Sequence, residues 1–131
     1  MGKSSELRVG IIGCGGIAGG KHLPALAKLS PVKMVAFCDI IEDRATAHAE
    51  KYGVSGANVY KDYQKLLEKE KLDVVHVLTP NISHSDITVA ALEAGCHVMC
   101  EKPMAMTADG ARKMVAAAKK TGKKLTIGYQ N

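Results

Sequence analysis

Val9-Gly10-Ile11-Ile12-Gly13-Cys14-Gly15-Gly16-Ile17-Ala18 is an apolar run that stops on a cluster of glycines. Residues 7–12 are apolar almost throughout, which suits a parallel strand covered on both faces better than a half-exposed antiparallel one. Within the glycines, Gly13-x-Gly15-x-x-Ala18 has the form of a dinucleotide-binding fingerprint. Gly13 permits the tight turn, Gly15 lets backbone approach a pyrophosphate, and Ala18 keeps helix and strand close. Taken alone, this spacing also suits a plain strand-to-helix turn, so the rest of the chain has to decide.

Outward from that loop, strand and helix patterns alternate six times. A helix over about residues 16–29 carries Ile17, Leu23, Leu26 and Ala27 toward a sheet and is expected to kink at Pro24 beside Gly19-Gly20. Residues 32–38 form the second strand, and Asp39 stands at its end. Ile41, Ala45, Ala49 and Tyr52 recur at helical spacing, with Gly53 as an expected left-handed terminator. A short third strand at Val59-Tyr60 and a helix over residues 63–70 follow. The fourth strand, residues 73–78, runs into Thr79-Pro80-Asn81.

Ser83-x-x-Asp86 resembles a capping box for a helix over residues 85–94 closed by Gly95. Residues 97–100 make the fifth strand. Thr107 caps a helix whose inner face reads Ala111, Met114, Val115 and Ala118 and which ends before Gly122, and residues 125–128 are the sixth strand. Such alternation without repeat, linker or low-complexity tract predicts an α/β fold, a Rossmann-type doubly wound parallel sheet of strand order 3-2-1-4-5-6. Right-handed crossovers then gather Gly13, Asp39, Thr79, Asn81, Glu101 and Lys102 along one sheet edge. That edge is the expected site.

The 131 residues fit a single dinucleotide-binding domain, residues 1–131. A hydrophobic fraction of 47% and a charged fraction of 24% are those of a soluble globular protein, and with no apolar stretch long enough to cross a bilayer the expected location is cytoplasmic. The net charge of +5 comes from lysine clusters, at Lys61, Lys65, Lys69, Lys71 and at Lys119, Lys120, Lys123, Lys124, placed where solvated helix faces and ends are expected. One Phe, four Tyr and no Trp leave few stacking platforms for single-stranded nucleic acid, so neither nucleic acid nor membrane is an expected partner. Cys14, Cys38, Cys96 and Cys100 make no CxxC pair, and Cys96-His97-x-x-Cys100 falls short of a four-ligand zinc site; no metal is expected.

Candidate cofactor contacts begin in the loop, at Gly13, Cys14, Gly15, Gly16 and Ile17, where free amides at a helix start point at phosphate. Asp39 comes 26 residues after Gly13, and its carboxylate suits a ribose diol. A carboxylate there repels a 2'-phosphate, and Ile40-Ile41 follow it instead of a basic residue, so NAD is expected over NADP. Arg44 has three readings: a cover for the adenine, a partner for a 2'-phosphate, or a solvated helix charge. Thr79, Asn81 and His84 lie where the strand order reverses; Asn81 is either a nicotinamide-ribose contact or a turn residue beside Pro80, and His84 either a cofactor contact or a capping or solvent-facing residue. Lys102, in Glu101-Lys102-Pro103, is the candidate catalytic residue, its ammonium suited to hydrogen-bond a substrate hydroxyl and stabilise a developing alkoxide. The alternative there is a surface Glu-Lys pair in a turn.

These stretches, with Lys21-His22-Leu23-Pro24-Ala25-Leu26, Cys38-Asp39, Arg44-Ala45 and Thr79-Pro80-Asn81 with His84, resemble the amino-terminal domain of the Gfo/Idh/MocA oxidoreductases over nearly the whole chain. The resemblance implies hydride transfer between a nicotinamide cofactor and a secondary alcohol of a sugar, cyclitol or related polyol. It implies Lys102 near the nicotinamide and the reacting hydroxyl, Glu101 at the nicotinamide ribose, Asp39 at the adenosine ribose, and Gln130 where the family's chain passes to its next domain. That second domain, which in the family supplies the substrate pocket and most of the oligomer interface, is expected to be absent from these 131 residues. The expectation is a cofactor-binding domain of a longer enzyme, with a second copy of itself among its candidate partners, competent to bind NAD but not to turn over substrate alone. The alternative is a free-standing NAD-binding sensor or regulatory module.

Overall fold

The computed structural model describes residues 6–15, 23–79, 83–101 and 105–128. Six strands, β1 (Leu7–Ile12), β2 (Val32–Cys38), β3 (Asn58–Tyr60), β4 (Val74–Val77), β5 (His97–Glu101) and β6 (Leu125–Gly128), pair in parallel in the order β3-β2-β1-β4-β5-β6. Helices α1 (Leu23–Ala27), α2 (Glu42–Tyr52), α3 (Tyr63–Lys69), α4 (His84–Glu93) and α5 (Ala108–Thr121) connect them. The expected doubly wound sheet is therefore present, strand for strand.

Two apolar layers sandwich the sheet. Val9, Ile11, Met34 and Phe37 pack with Leu23 of α1 and Ala45 and Ala49 of α2 on one face. Ile12, Val75, Val77, Val98 and Cys100 pack with Leu66 of α3, Leu92 of α4 and Met114 of α5 on the other. With right-handed crossovers, the chain can build outward from β1 to β3 and then from β4 to β6 only by changing faces between β3 and β4. The reversal parts the chain beyond the carboxyl ends of β1 and β4, which is where open α/β sheets place ligands.

Three local expectations change in three dimensions. Gly53 is extended (φ −76°, ψ 160°), not left-handed. It is glycine because a Cβ would lie 2.6 Å from the Ala49 carbonyl oxygen, 2.8 Å from Ala57 Cβ and 2.9 Å from the Phe37 ring. Ser83 makes no cap hydrogen bond to α4, since its hydroxyl donates to Thr79 Oγ1 at 3.0 Å. Val115 is 43% exposed whereas Ala117 is buried beside Met114, so α5 docks through residues 114 and 117, with Ala111 and Ala118 half-buried. Burying a side chain the size of Met114 contributes about 1.5–3 kcal/mol. Pro24 lies within α1, and the stretch before it, where the kink beside Gly19 and Gly20 was expected, lies outside the described residues.

Other local signals are met: Thr107 accepts the Gly110 amide at 3.0 Å, and Gly95 and Gly122 have φ of 95° and 72°. The structure adds a cap at α3, where Asp62 accepts the Gln64 amide at 2.8 Å.

Candidate functional site

Parallel pairing brings the ends of β1, β2, β4 and β5 to one edge, and with them Gly13, Asp39, Thr79 and Glu101. Gly16, Ile17, Ala18, Asn81, Lys102 and Gln130 lie outside the described residues.

Gly13 is held in place by its neighbours. Its φ of 101° is left-handed, and a Cβ would lie 2.6 Å from the Leu78 carbonyl carbon and 2.7 Å from the Thr79 nitrogen. Its amide donates to the Cys38 carbonyl at 2.8 Å. Glycine at residue 13 is thus demanded by the fold itself.

Gly15 differs. It does not adopt a left-handed φ, and the one described atom within 4 Å of its Cβ position is Arg44 Nη1, at 3.8 Å, the tip of a flexible side chain. Among the described residues no backbone or core atom requires glycine there.

Asp39 ties the loop to β2. Its Oδ2 accepts the Cys14 amide and its Oδ1 accepts the Ile41 amide, both at 2.8 Å. The amides of Gly13 and Cys14 are therefore both consumed within the protein and are not left for an external anion. Cys14 itself is 1% exposed, and its thiol donates to the Cys38 carbonyl at 3.5 Å. Burial, with the Asp39 charge adding to it, pushes that thiol up to about 12. Only the backbone of Cys14 belongs to the edge; its sulfur belongs to the core.

The turn after Asp39 carries two features that the residue types alone left unused. Ile40 is 83% exposed, an apolar side chain set beside a carboxylate where turns favour polar residues. Glu42 and Asp43 fill the first turn of α2. That helix start would otherwise attract an anion, and with Asp39 it instead presents three carboxylates.

Around β4, His84 is completely buried, and its Nε2 lies 2.8 Å from the Thr79 carbonyl, to which that ring N–H donates. The imidazole braces the strand end from inside, out of reach of solvent. Thr79 is half-buried, and its hydroxyl oxygen accepts the Ser83 bond already described. Glu101 closes β5 at 7% exposure, paired in register with Gly128. No cluster of three or more metal-ligating side chains occurs among the described residues, and no described helix is long and apolar enough to cross a membrane.

Residues 7–129 match an oxidoreductase family characterised by an NAD-binding Rossmann fold. Among curated relatives, D-glucoside 3-dehydrogenase of Escherichia coli is 47% identical over 128 residues, covering 98% of this chain and 36% of the relative. Inositol 2-dehydrogenase of Salmonella paratyphi B is 42% identical over 125 residues, covering 94% and 37%. A 3-ketoreductase from Actinomadura kijaniata, solved with NADP and TDP-benzene, superimposes with a TM-score of 0.86 at 33% identity, over 95% of this chain and 37% of that one. The chain thus spans little more than a third of the proteins it resembles.

Proposed function

The chain belongs to the Gfo/Idh/MocA oxidoreductases and carries their NAD-binding Rossmann fold, and from that premise we propose that it is the nucleotide domain of a dehydrogenase acting on a ring hydroxyl of a glycoside or cyclitol. Gly15 is the observation that carries the cofactor site. At residue 13 the protein's own atoms exclude a side chain, whereas at residue 15 the Arg44 tip is the only described atom that approaches, which supports a place for a pyrophosphate against bare backbone.

The residues present suit NAD. Amides from Gly15 onward, with those of Gly16 and Ile17, hold the pyrophosphate at the helix start. Asp39 keeps one lone pair on each oxygen after accepting two amides, enough to receive both hydroxyls of the adenosine ribose. Ile40 and Arg44 flank the adenine, one as an apolar surface and the other as a planar cation. Asp39, Glu42 and Asp43 repel a 2'-phosphate, which favours NAD over NADP even though the related 3-ketoreductase was solved with NADP.

Bound NAD supplies the hydride acceptor. Glu101 and Asn81 hold the nicotinamide ribose, Thr79, braced by His84, shapes the crevice beside it, and Gln130 leads out of the domain. Lys102 donates a hydrogen bond to the reacting hydroxyl and stabilises the negative charge that develops on its oxygen. A secondary alcohol on a six-membered ring is common to the two curated relatives, a glucoside dehydrogenase and an inositol dehydrogenase.

Calorimetric titration of this chain with NAD and NADP tests the cofactor half, and binding of neither sinks it. For the substrate half, the complete gene product is assayed with glycosides and inositols; NAD reduction by neither class removes the dehydrogenase reading.

A further inference from the structure

Consecutive loop amides, those of Gly13 and Cys14, both end on β2, the first on the Cys38 carbonyl and the second on the Asp39 carboxylate. The same carboxylate reaches forward to the Ile41 amide. One side chain thus joins the turn after β1 to the turn after β2, and the residue it grips immediately precedes the open Gly15. We propose that Asp39 is a positioning residue for the anion-binding loop: by holding the Cys14 amide it sets where the Gly15 backbone stands, so phosphate binding depends on a carboxylate that never touches phosphate. This rests on the nucleotide reading above but adds a role separate from contact with the ribose.

The two roles predict opposite outcomes for a ligand lacking the diol. A carboxylate that only reads ribose hydroxyls contributes nothing to 2',3'-dideoxy-ADP and repels its phosphates, so its removal would leave affinity unchanged or raise it. A carboxylate that positions the loop stabilises the bound form of the same ligand through a charge-assisted hydrogen bond, and its removal weakens binding despite the lost repulsion.

The full chain and its Asp39→Ala and Asp39→Asn variants are titrated with ADP and with 2',3'-dideoxy-ADP, and hydrogen exchange is followed at the Cys14 amide with Ile11 as the reference for global stability. Positioning predicts that Asp39→Ala weakens dideoxy-ADP roughly tenfold or more and speeds Cys14 exchange by a similar factor while Ile11 is unaffected. Asp39→Asn, whose amide oxygen still accepts one N–H, recovers part of both. Dideoxy-ADP bound by Asp39→Ala as tightly as by the native chain, or unchanged Cys14 exchange, overturns the proposal. If the native chain binds neither nucleotide, it is the cofactor reading that fails, and the exchange measurement still judges the tether.

Discussion

Arg44 Nη1 stands 3.8 Å from the position a Cβ on Gly15 would take, so a guanidinium from α2 overhangs the loop that follows β1. The Arg44 residue is exposed, and its backbone amide is committed to the Ile41 carbonyl at 3.0 Å. The side chain is therefore poised over the loop without holding the fold together.

Arg44→Ala is accordingly expected to leave stability within about 0.5 kcal/mol of native and to weaken NAD by roughly three- to thirtyfold, the range of a partly desolvated cation over an aromatic plane. Thermal melting and calorimetry check the two halves. A large drop in melting temperature would show that the arginine is structural after all.

The two loop glycines separate fold from function. Gly13→Ala forces a side chain into a left-handed residue and against the Leu78 backbone, and costs about 2–4 kcal/mol of stability. Gly15→Ala should melt almost as the native chain does while losing at least roughly tenfold in NAD affinity, because among the described residues its methyl meets only the Arg44 tip. Equal loss of stability in both variants would contradict this division.

Replacing His84 by alanine removes a fully buried ring and the hydrogen bond that braces Thr79. The expected cost is about 2–4 kcal/mol, seen as a shift in the denaturation midpoint. A variant of native stability with impaired NAD binding would instead place the imidazole on the ligand.

All four thiols are buried, and their proton affinities bear on stability at high pH. Burial, reinforced by the Asp39 charge, raises Cys14 and Cys38 from 9.0 to about 12, and burial raises Cys100 to about 11. Between pH 9 and those values the unfolded chain has released protons that the native one retains. The stability these groups contribute is therefore complete below pH 9 and declines as pH rises toward 11–12. Melting temperature is expected to fall across that window, and a thiol reagent at pH 8 should modify the native protein far more slowly than the denatured one. Rapid labelling of the native chain would refute the buried placement.

Residue type and spacing were enough to read the alternation of strands and helices, the 3-2-1-4-5-6 order, the Thr107 cap and the arrival of Gly13, Asp39, Thr79 and Glu101 at one edge. Each follows from local rules: a continuous apolar run marks a buried strand, glycine permits a turn, and right-handed crossovers leave one way to order the sheet. Tertiary structure alone decided that Asp39 grips Cys14 25 residues away, that His84 turns inward to Thr79, that Ser83 abandons its helix, and that Gly53 is glycine for the sake of the Phe37 ring. Local pattern selects backbone conformation and the apolar side of an element. The partner a polar atom meets depends on strand register and helix rotation, which are set only when the layers pack.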